Sequence, residues 1–315
     1  MITTVLGATG RTGRLVVRHL LDSGQEVRVL VRDADKAREL FGAQSRLTIL
    51  RGSLSDPVAV GHAFAGSDTA FVALGSIGME GNLQRVAIEA ASRSSMRQYL
   101  RLSVLNAGEG SLGINQRAHS NIDFAAQVAG IPYATLRPAI FSASALVAAP
   151  EIRAQATWTG LADTGRVGLI DHRDVADAAF AVLTDESLWG AHYDLTGPEL
   201  LSWPGVMALL SDELQTPVRF EVAEAFALVL ALREAGVSSG QAELLVAREW
   251  ALQAGENERL TDLVYQLTGH APRPVSAFLH ENRGLFLVSD EGSALLGAPG
   301  SLPVEVEQVA RRCCA

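Results

Sequence analysis

After Met1 the chain runs Ile2-Thr3-Thr4-Val5-Leu6-Gly7-Ala8-Thr9-Gly10-Arg11-Thr12-Gly13. Ile2 to Leu6 is apolar and β-branched, as in a buried strand, and residues 15–21 have the spacing of an amphipathic helix. Three glycines between a strand and a helix let backbone N–H groups at the helix N-terminus approach a pyrophosphate. The glycines alone say little. In this strand–turn–helix context Gly7, Thr9, Gly10, Arg11, Thr12 and Gly13 read as a dinucleotide seat.

The same rhythm continues. Further strand patterns fall at residues 27–31, 47–50, 69–74, 99–105 and 133–136. Helical patterns lie between them, with the last at 115–129. Such alternation predicts an α/β fold of the Rossmann type, with a doubly wound parallel sheet buried on both faces. After Pro138 the rhythm changes. Strands are expected at 167–170, 192–195 and 218–222, and helices at 174–183, capped by Asp174, and 202–214, capped by Ser202. The rest, to about Leu287, reads as mostly helical. Residues 1–140 thus form the nucleotide-binding domain, which also receives strands from about 166–195. Residues 141–287 form mainly a smaller, mostly helical C-terminal substrate lobe, interleaved with it. Residues 288–315 read as a flexible tail.

With 315 residues the chain can bury a full core, and its net charge of −9 argues against nucleic acid as the main partner. The two cysteines, Cys313 and Cys314, are adjacent and offer neither a disulfide framework nor metal-ligand spacing. The first strand follows Met1 at once, which leaves no room for a signal peptide, and the apolar stretch 223–232 is too short to span a membrane and reads as a buried helix. A cytoplasmic protein acting on a small molecule is expected. Monomer and homodimer both remain open.

The second strand ends Val31-Arg32-Asp33. An acidic residue at this place accepts hydrogen bonds from the ribose hydroxyls of NAD, whereas an arginine suits a 2′-phosphate. Arg32, with Arg11 in the glycine loop, points to NADP(H). Asp33, one position late, is the counter-indication, and Arg32 as a plain solvated strand end is the alternative. Leu54 after the third strand is placed to pack against adenine, and Leu74 and Gly75 end the fourth strand beside the cofactor.

The GxxGxxG spacing resembles the short-chain dehydrogenase/reductase superfamily. Further stretches narrow this: VLVRD at 29–33, HSNIDFAAQVAGIPYATLRP at 119–138, LIDHRDVADAA at 169–179 and YDLTGPELLS at 193–202. Together they resemble the NmrA-like atypical group, in particular its branch of NAD(P)H quinone reductases, azoreductase-like proteins and ergot-alkaloid reductases. The resemblance runs from Met1 to about Phe286. It implies contacts to the cofactor from Ser103, Pro138, Ala139 and Phe141.

Ordinary short-chain reductases protonate their product with a tyrosine whose pKa is lowered by a lysine four residues on. This chain cannot do so, because its only lysine is Lys36. The resemblance offers His119 with Asp123 one helical turn away, and Ser103, as catalytic candidates, with an ordinary ion pair or packed histidine as the alternative for the first two. Phe141 and Trp158 are candidate walls of a substrate pocket. The expected function is an NADP(H)-dependent oxidoreductase passing hydride to a small apolar or aromatic electrophile such as a quinone, enone or imine. Such acceptors need little enzymatic acid. The missing Tyr–Lys pair also fits a regulatory protein that senses NADP(H) without turning it over, or an isomerase or coupling enzyme on the same fold. Turnover of NADPH with such acceptors discriminates among the three.

Overall fold

The computed structural model describes residues 1–75, 79–108, 110–111, 113–234 and 236–287. Among them the strands are β1 (Ile2–Leu6), β2 (Glu26–Val31), β3 (Leu47–Arg51), β4 (Thr69–Val72), β5 (Gln98–Leu102), β6 (Tyr133–Pro138), β7 (Thr157–Gly160), β8 (His192–Leu195) and β9 (Arg219–Val222). Seven of them form one parallel sheet in the order β3-β2-β1-β4-β5-β6-β8. The chain winds outward from β1 in one direction to β3, then crosses to β4 and winds the other way. The switch lies between β1 and β4, and ligands of open α/β sheets bind there, at the carboxyl ends of the strands.

The apolar runs of these strands are continuous because helices cover both faces. On one face α1 (Arg11–Asp22) brings Val16, Val17 and Leu20 against Val5, Val27 and Val29. On the other, α3 (Pro57–Phe64), α4 (Met79–Ser92) and α5 (Ile114–Val128) cover Leu6, Leu30, Val72 and Tyr99 with Phe64, Ile88 and Ile122. α2 (Ala34–Phe41) and α7 (His172–Thr184) join α1 on the first face. A separate core, built around Leu105, Ala139, Ile152, Trp158, Trp203, Met207, Leu252 and Leu279, fills the C-terminal part. It is supported by α6 (Ala149–Gln155), α8 (Trp203–Leu214), α10 (Ser239–Gln253) and α12 (Val275–Glu281), and by the two-stranded parallel sheet β7-β9.

Several expectations need correction. Residues 167–170 do not form a strand. They make two isolated bridges, Val167 with Leu201 and Phe141 with Ile170, so only β8 joins the large sheet from that region. α7 is capped by Asp171, whose side chain accepts from the N–H of Arg173, and not by Asp174. Asp174 is fully buried and pairs with Arg273. The apolar helix α9 (Ala225–Glu234) buries none of its residues, and Phe226 is 73% exposed, so it is not a core helix. The tail 288–315, with its cysteines, lies outside the described residues.

Two glycines test how tightly the first turn is built. A Cβ on Gly13 would collide with the carbonyl oxygen of Gly7, whereas one on Gly61, inside α3, would meet nothing within 4 Å. Gly61→Ala is expected to stabilise the protein by about 0.5–1 kcal/mol through helix propensity. Gly13→Ala is expected to destabilise it by at least ~1–3 kcal/mol through overpacking. Urea unfolding of the two variants checks both signs.

Candidate active site

The glycine turn forms because two backbone segments touch where no side chain fits. Gly7 has φ +82°, and a Cβ there would strike the carbonyl oxygen of Ala73, just beyond β4. The turn closes with Gly10 N–H donating to Gly7 O at 3.0 Å. Gly10 is the N-cap of α1. It supplies no side-chain cap, and the first turn of α1 holds no acidic residue. By contrast α2, α3, α7 and α8 are capped by Asp33, Asp56, Asp171 and Ser202. The positive end of α1 therefore starts at the switch point with no side-chain cap from Gly10 and no acidic residue in its first turn, an arrangement that suits a pyrophosphate.

On the β2 side, Arg32 and Lys36 are exposed. Asp33 is engaged elsewhere, because its Oδ1 accepts from the N–H groups of Asp35 at 3.1 Å and Lys36 at 3.0 Å. The carboxylate that the sequence suggests as a ribose acceptor is committed to capping α2. Leu54 is half-buried at the edge of the core, and Ser53 hydrogen-bonds Ser55 at 2.7 Å. Leu74 and Gly75 are held by a residue that no sequence motif points to. The amide of Gln84, fully buried in α4, donates to Leu74 O at 2.7 Å and Gly75 O at 3.3 Å. Ser76 lies outside the described residues.

On the other side of the switch point the end of β5 meets α5. Ser103 is buried, and its hydroxyl lies 3.5 Å from Asp123 Oδ2. The expected pair of His119 with Asp123 is not formed directly. Arg101, fully buried in β5, stands between them. Its Nη2 lies 2.9 Å from His119 Nδ1 and donates to His119 O at 3.1 Å. Its Nη1 lies 3.0 Å from Asp123 Oδ1, in ionic contact but not aligned as a hydrogen bond. Arg137, at the end of β6, reaches Asp123 Oδ2 at 3.4 Å. Two guanidinium groups thus share one carboxylate, which leaves a net positive charge beneath Ser103. The neighbour of His119 is a cation and not a carboxylate. Burial first, and the charge of Arg101 second, hold its pKa well below the usual histidine value. Arg101 is invisible to motif reading because none of the motifs that carry the resemblance contains it.

Further along the edge, Pro138 and Ala139 are buried, and Phe141 bridges to Ile170. The ring of Phe141 packs edge-on to His172, with centroids 3.9 Å apart. His172 Nδ1 is buried with no hydrogen-bond partner among the described residues. Burial, with added repulsion from Arg11 and Arg14, pulls the His172 pKa down to about 3. Arg11 therefore lies near the start of α7. Trp158 is buried against Trp203 at 4.7 Å and Phe220 at 5.8 Å, so the structure gives it a place in the core of the lobe and not on an open wall.

An uncapped helix start over a glycine crossing, at the switch point of a doubly wound sheet, defines a dinucleotide-binding Rossmann protein. Comparison with known proteins makes this specific. The model of a family described as NAD(P)H-binding matches residues 7–186. A Streptomyces griseus protein, "(4-alkanoyl-5-oxo-2,5-dihydrofuran-3-yl)methyl phosphate reductase", is 30% identical over 295 residues, covering 90% of this chain and 98% of the relative. The NADPH-dependent quinone oxidoreductase of Escherichia coli, solved with NADPH, superposes with a TM-score of 0.83 at 23% identity, over 89% of this chain and 99% of that one. The negative transcriptional regulator Nmra superposes with a TM-score of 0.73 at 19% identity, over 89% and 94%. The chain belongs to the NAD(P)H-binding family. The glycine cradle, the first turn of α1 with no acidic residue and the orphaned nitrogen of His172 fit that cofactor.

Two outcomes follow from the buried charges. Asp123→Asn leaves Arg101 and Arg137 facing each other without a counter-charge, and is expected to cost about 3–5 kcal/mol of stability, measured by chemical denaturation. His172 has a folded pKa of about 3 against 6.5 for the free side chain, so below about pH 6.5 the unfolded chain binds a proton that the folded chain refuses. Its contribution is complete above pH 6.5 and is lost as the pH falls from there toward about 3. His172→Asn should therefore flatten the slope of stability against pH between about 5 and 6 by up to ~1.4 kcal/mol per pH unit. An unchanged slope would show that His172 does not resist protonation.

Proposed function

We propose that this protein is an NADPH-dependent reductase that delivers hydride to a small apolar or aromatic electrophile such as a quinone, enone or imine. The observation that carries the reading is the cluster of buried Arg101 and Asp123 with half-buried Arg137 beside Ser103, in a chain whose only lysine lies in α2. An acceptor that takes hydride gains negative charge. A preorganised positive charge in a dry site stabilises that charge without a proton having to move at the same moment. The bound cofactor supplies the hydride from its nicotinamide. The chain's own residues bind and orient. The N-terminus of α1 holds the pyrophosphate, Arg11 adds positive charge beside it, and Arg32 takes the 2′-phosphate. With Asp33 engaged as a helix cap, Arg32 is the group at the end of β2 left to select the cofactor. Pro138, Ala139 and Phe141 form the floor for the nicotinamide, with Ser103 at its side. The lobe of residues 141–287 covers the acceptor.

The named relative supports a conjugated alkene as the acceptor group, on a substrate that also carries a phosphate. Its substrate name specifies a ring alkene conjugated with a lactone carbonyl and an alkanoyl group. Such an alkene accepts hydride readily because the charge spreads into the carbonyl oxygens. A non-catalytic sensor of NADP(H) would bind the cofactor just as well but leave it unchanged.

Two measurements decide. Purified protein with NADPH and a panel of quinones, enones and imines should oxidise the cofactor, followed by loss of the reduced-nicotinamide absorbance. Tight NADPH binding with no oxidation by any acceptor would sink the reductase reading. Arg32→Glu should raise the Kd for NADPH by about tenfold or more beyond its effect on NADH. Equal losses for both would refute the assignment of Arg32 to the 2′-phosphate.

A further inference from the structure

The contact between Arg101 and His119 has a strict chemical consequence. A guanidinium carries five N–H donors, has no acceptor and stays protonated in proteins. His119 Nδ1 lies 2.9 Å from Arg101 Nη2 and must therefore offer a lone pair. A neutral imidazole with a bare Nδ1 keeps its one proton on Nε2. The second contact, from the same Nη2 to the carbonyl oxygen of His119 at 3.1 Å, locks the guanidinium to this residue. The third, from Nη1 to Asp123 Oδ1 at 3.0 Å, anchors it one turn further along α5. Arg101 is thus held by three atoms of one helix and cannot turn away.

The surroundings reinforce this state. His119 is in contact with Arg101 of β5, and Arg101 is in turn surrounded by Tyr99 of β5, Asp123 of α5, and Arg137 and Tyr133 of β6. Asp123 is already shared by the two arginines, and Glu256 Oε2 is directed to Gly113 N–H at 3.3 Å. No carboxylate among the described residues is placed to support an imidazolium. A proton on Nδ1 would also set an N–H against the N–H of Arg101, with two cations in contact in a buried place.

Position completes the picture. α5 runs back against β5 from the C-terminal edge of the sheet, and Asp123 reaches Ser103 at the end of that strand. His119 lies one turn closer to the start of the helix, and so closer to the crevice.

The geometry points to Arg101 as a positioning residue that fixes His119 as a neutral donor, with its Nε2–H available to the acceptor oxygen or nitrogen of the substrate. This rests on the reductase reading above. The balance is simple. The acceptor gains hydride from NADPH, which leaves as NADP⁺. The acceptor then carries one additional negative charge, the Nε2–H hydrogen-bonds it, and water supplies the proton that completes the reduction. His119 acts as a hydrogen-bond donor and not as an acid, so its help does not vary with pH.

The test needs no substrate. In protein labelled with ¹⁵N-histidine, long-range ¹H–¹⁵N correlation spectra report tautomer and charge, and His119→Gln assigns the signals by their loss. His119 is expected as the neutral Nε2–H tautomer throughout pH 5–8. A proton on Nδ1, or titration with a midpoint near the ordinary value of about 6.5, would overturn the proposal. Arg101→Met should restore titration or mix the tautomers. Should that variant not fold, the wild-type spectrum still decides. In turnover, kcat of the wild type should be flat across the same pH range. His119→Ala should lower kcat by about 100-fold with the KM for NADPH unchanged. His119→Gln, which can donate but cannot act as an acid, should recover much of the loss, and no recovery would contradict the donor role. If no acceptor is turned over at all, the reductase reading fails while the spectra still answer for His119.

Discussion

Two backbone segments touch at the start of this molecule, and much else depends on that contact. The carbonyl of Ala73 sits where a Cβ of Gly7 would be, and the carbonyl of Gly7 sits where a Cβ of Gly13 would be. The double crossing presses α1 onto β1 beside β4, at the reversal of strand order. It leaves α1 with a bare N-cap, Gly10, and no first-turn carboxylate. A helix start of this kind is poorly satisfied without an anion. The cofactor seat is therefore a consequence of how the sheet is closed and not an addition to it.

The second constraint is electrostatic and lies across the switch point. Burying Arg101 and Asp123, with half-buried Arg137 beside them, has a large desolvation cost, and a well-packed apolar cluster would often be at least as stable. Retention of such a cluster next to Ser103 is better explained by what it does to a reacting group. It gives the site a fixed positive potential and, through Arg101, a neutral histidine. A Tyr–Lys pair reaches the same end differently, by lowering the pKa of an acid. Here the charge is built in, and the acceptor must be reactive enough to need no more.

Much of the architecture is legible in the sequence because it is local. The glycine turn, the spacing of the apolar runs and the Ser202 cap each involve a few neighbouring residues. What sequence reasoning misses is settled over long distances. Asp171 and Asp174 are both plausible caps, and the choice is made by Arg273, which claims Asp174 from 99 residues away. Residues 167–170 have strand composition, but only single bridges to Leu201 and Phe141 are available to them. In the site, His119 and Asp123 can be paired from their helical spacing. Arg101 cannot be added, because an arginine within a buried strand meets α5 only through the packing of that helix on the sheet. Trp158 packs against Trp203, and an aromatic residue near a site looks the same in sequence whether it faces a ligand or another tryptophan.

Everything proposed for the site requires that hydride leave a cofactor held at this seat for an electrophilic acceptor. Transfer from NADPH deuterated separately on each face of the nicotinamide to an accepted enone tests this directly, with mass spectrometry of the product. Deuterium from one face alone is expected on carbon in the product, because one side of the ring would lie on the floor proposed for Pro138, Ala139 and Phe141. Label arriving from neither face, with NADPH bound and intact, would contradict it.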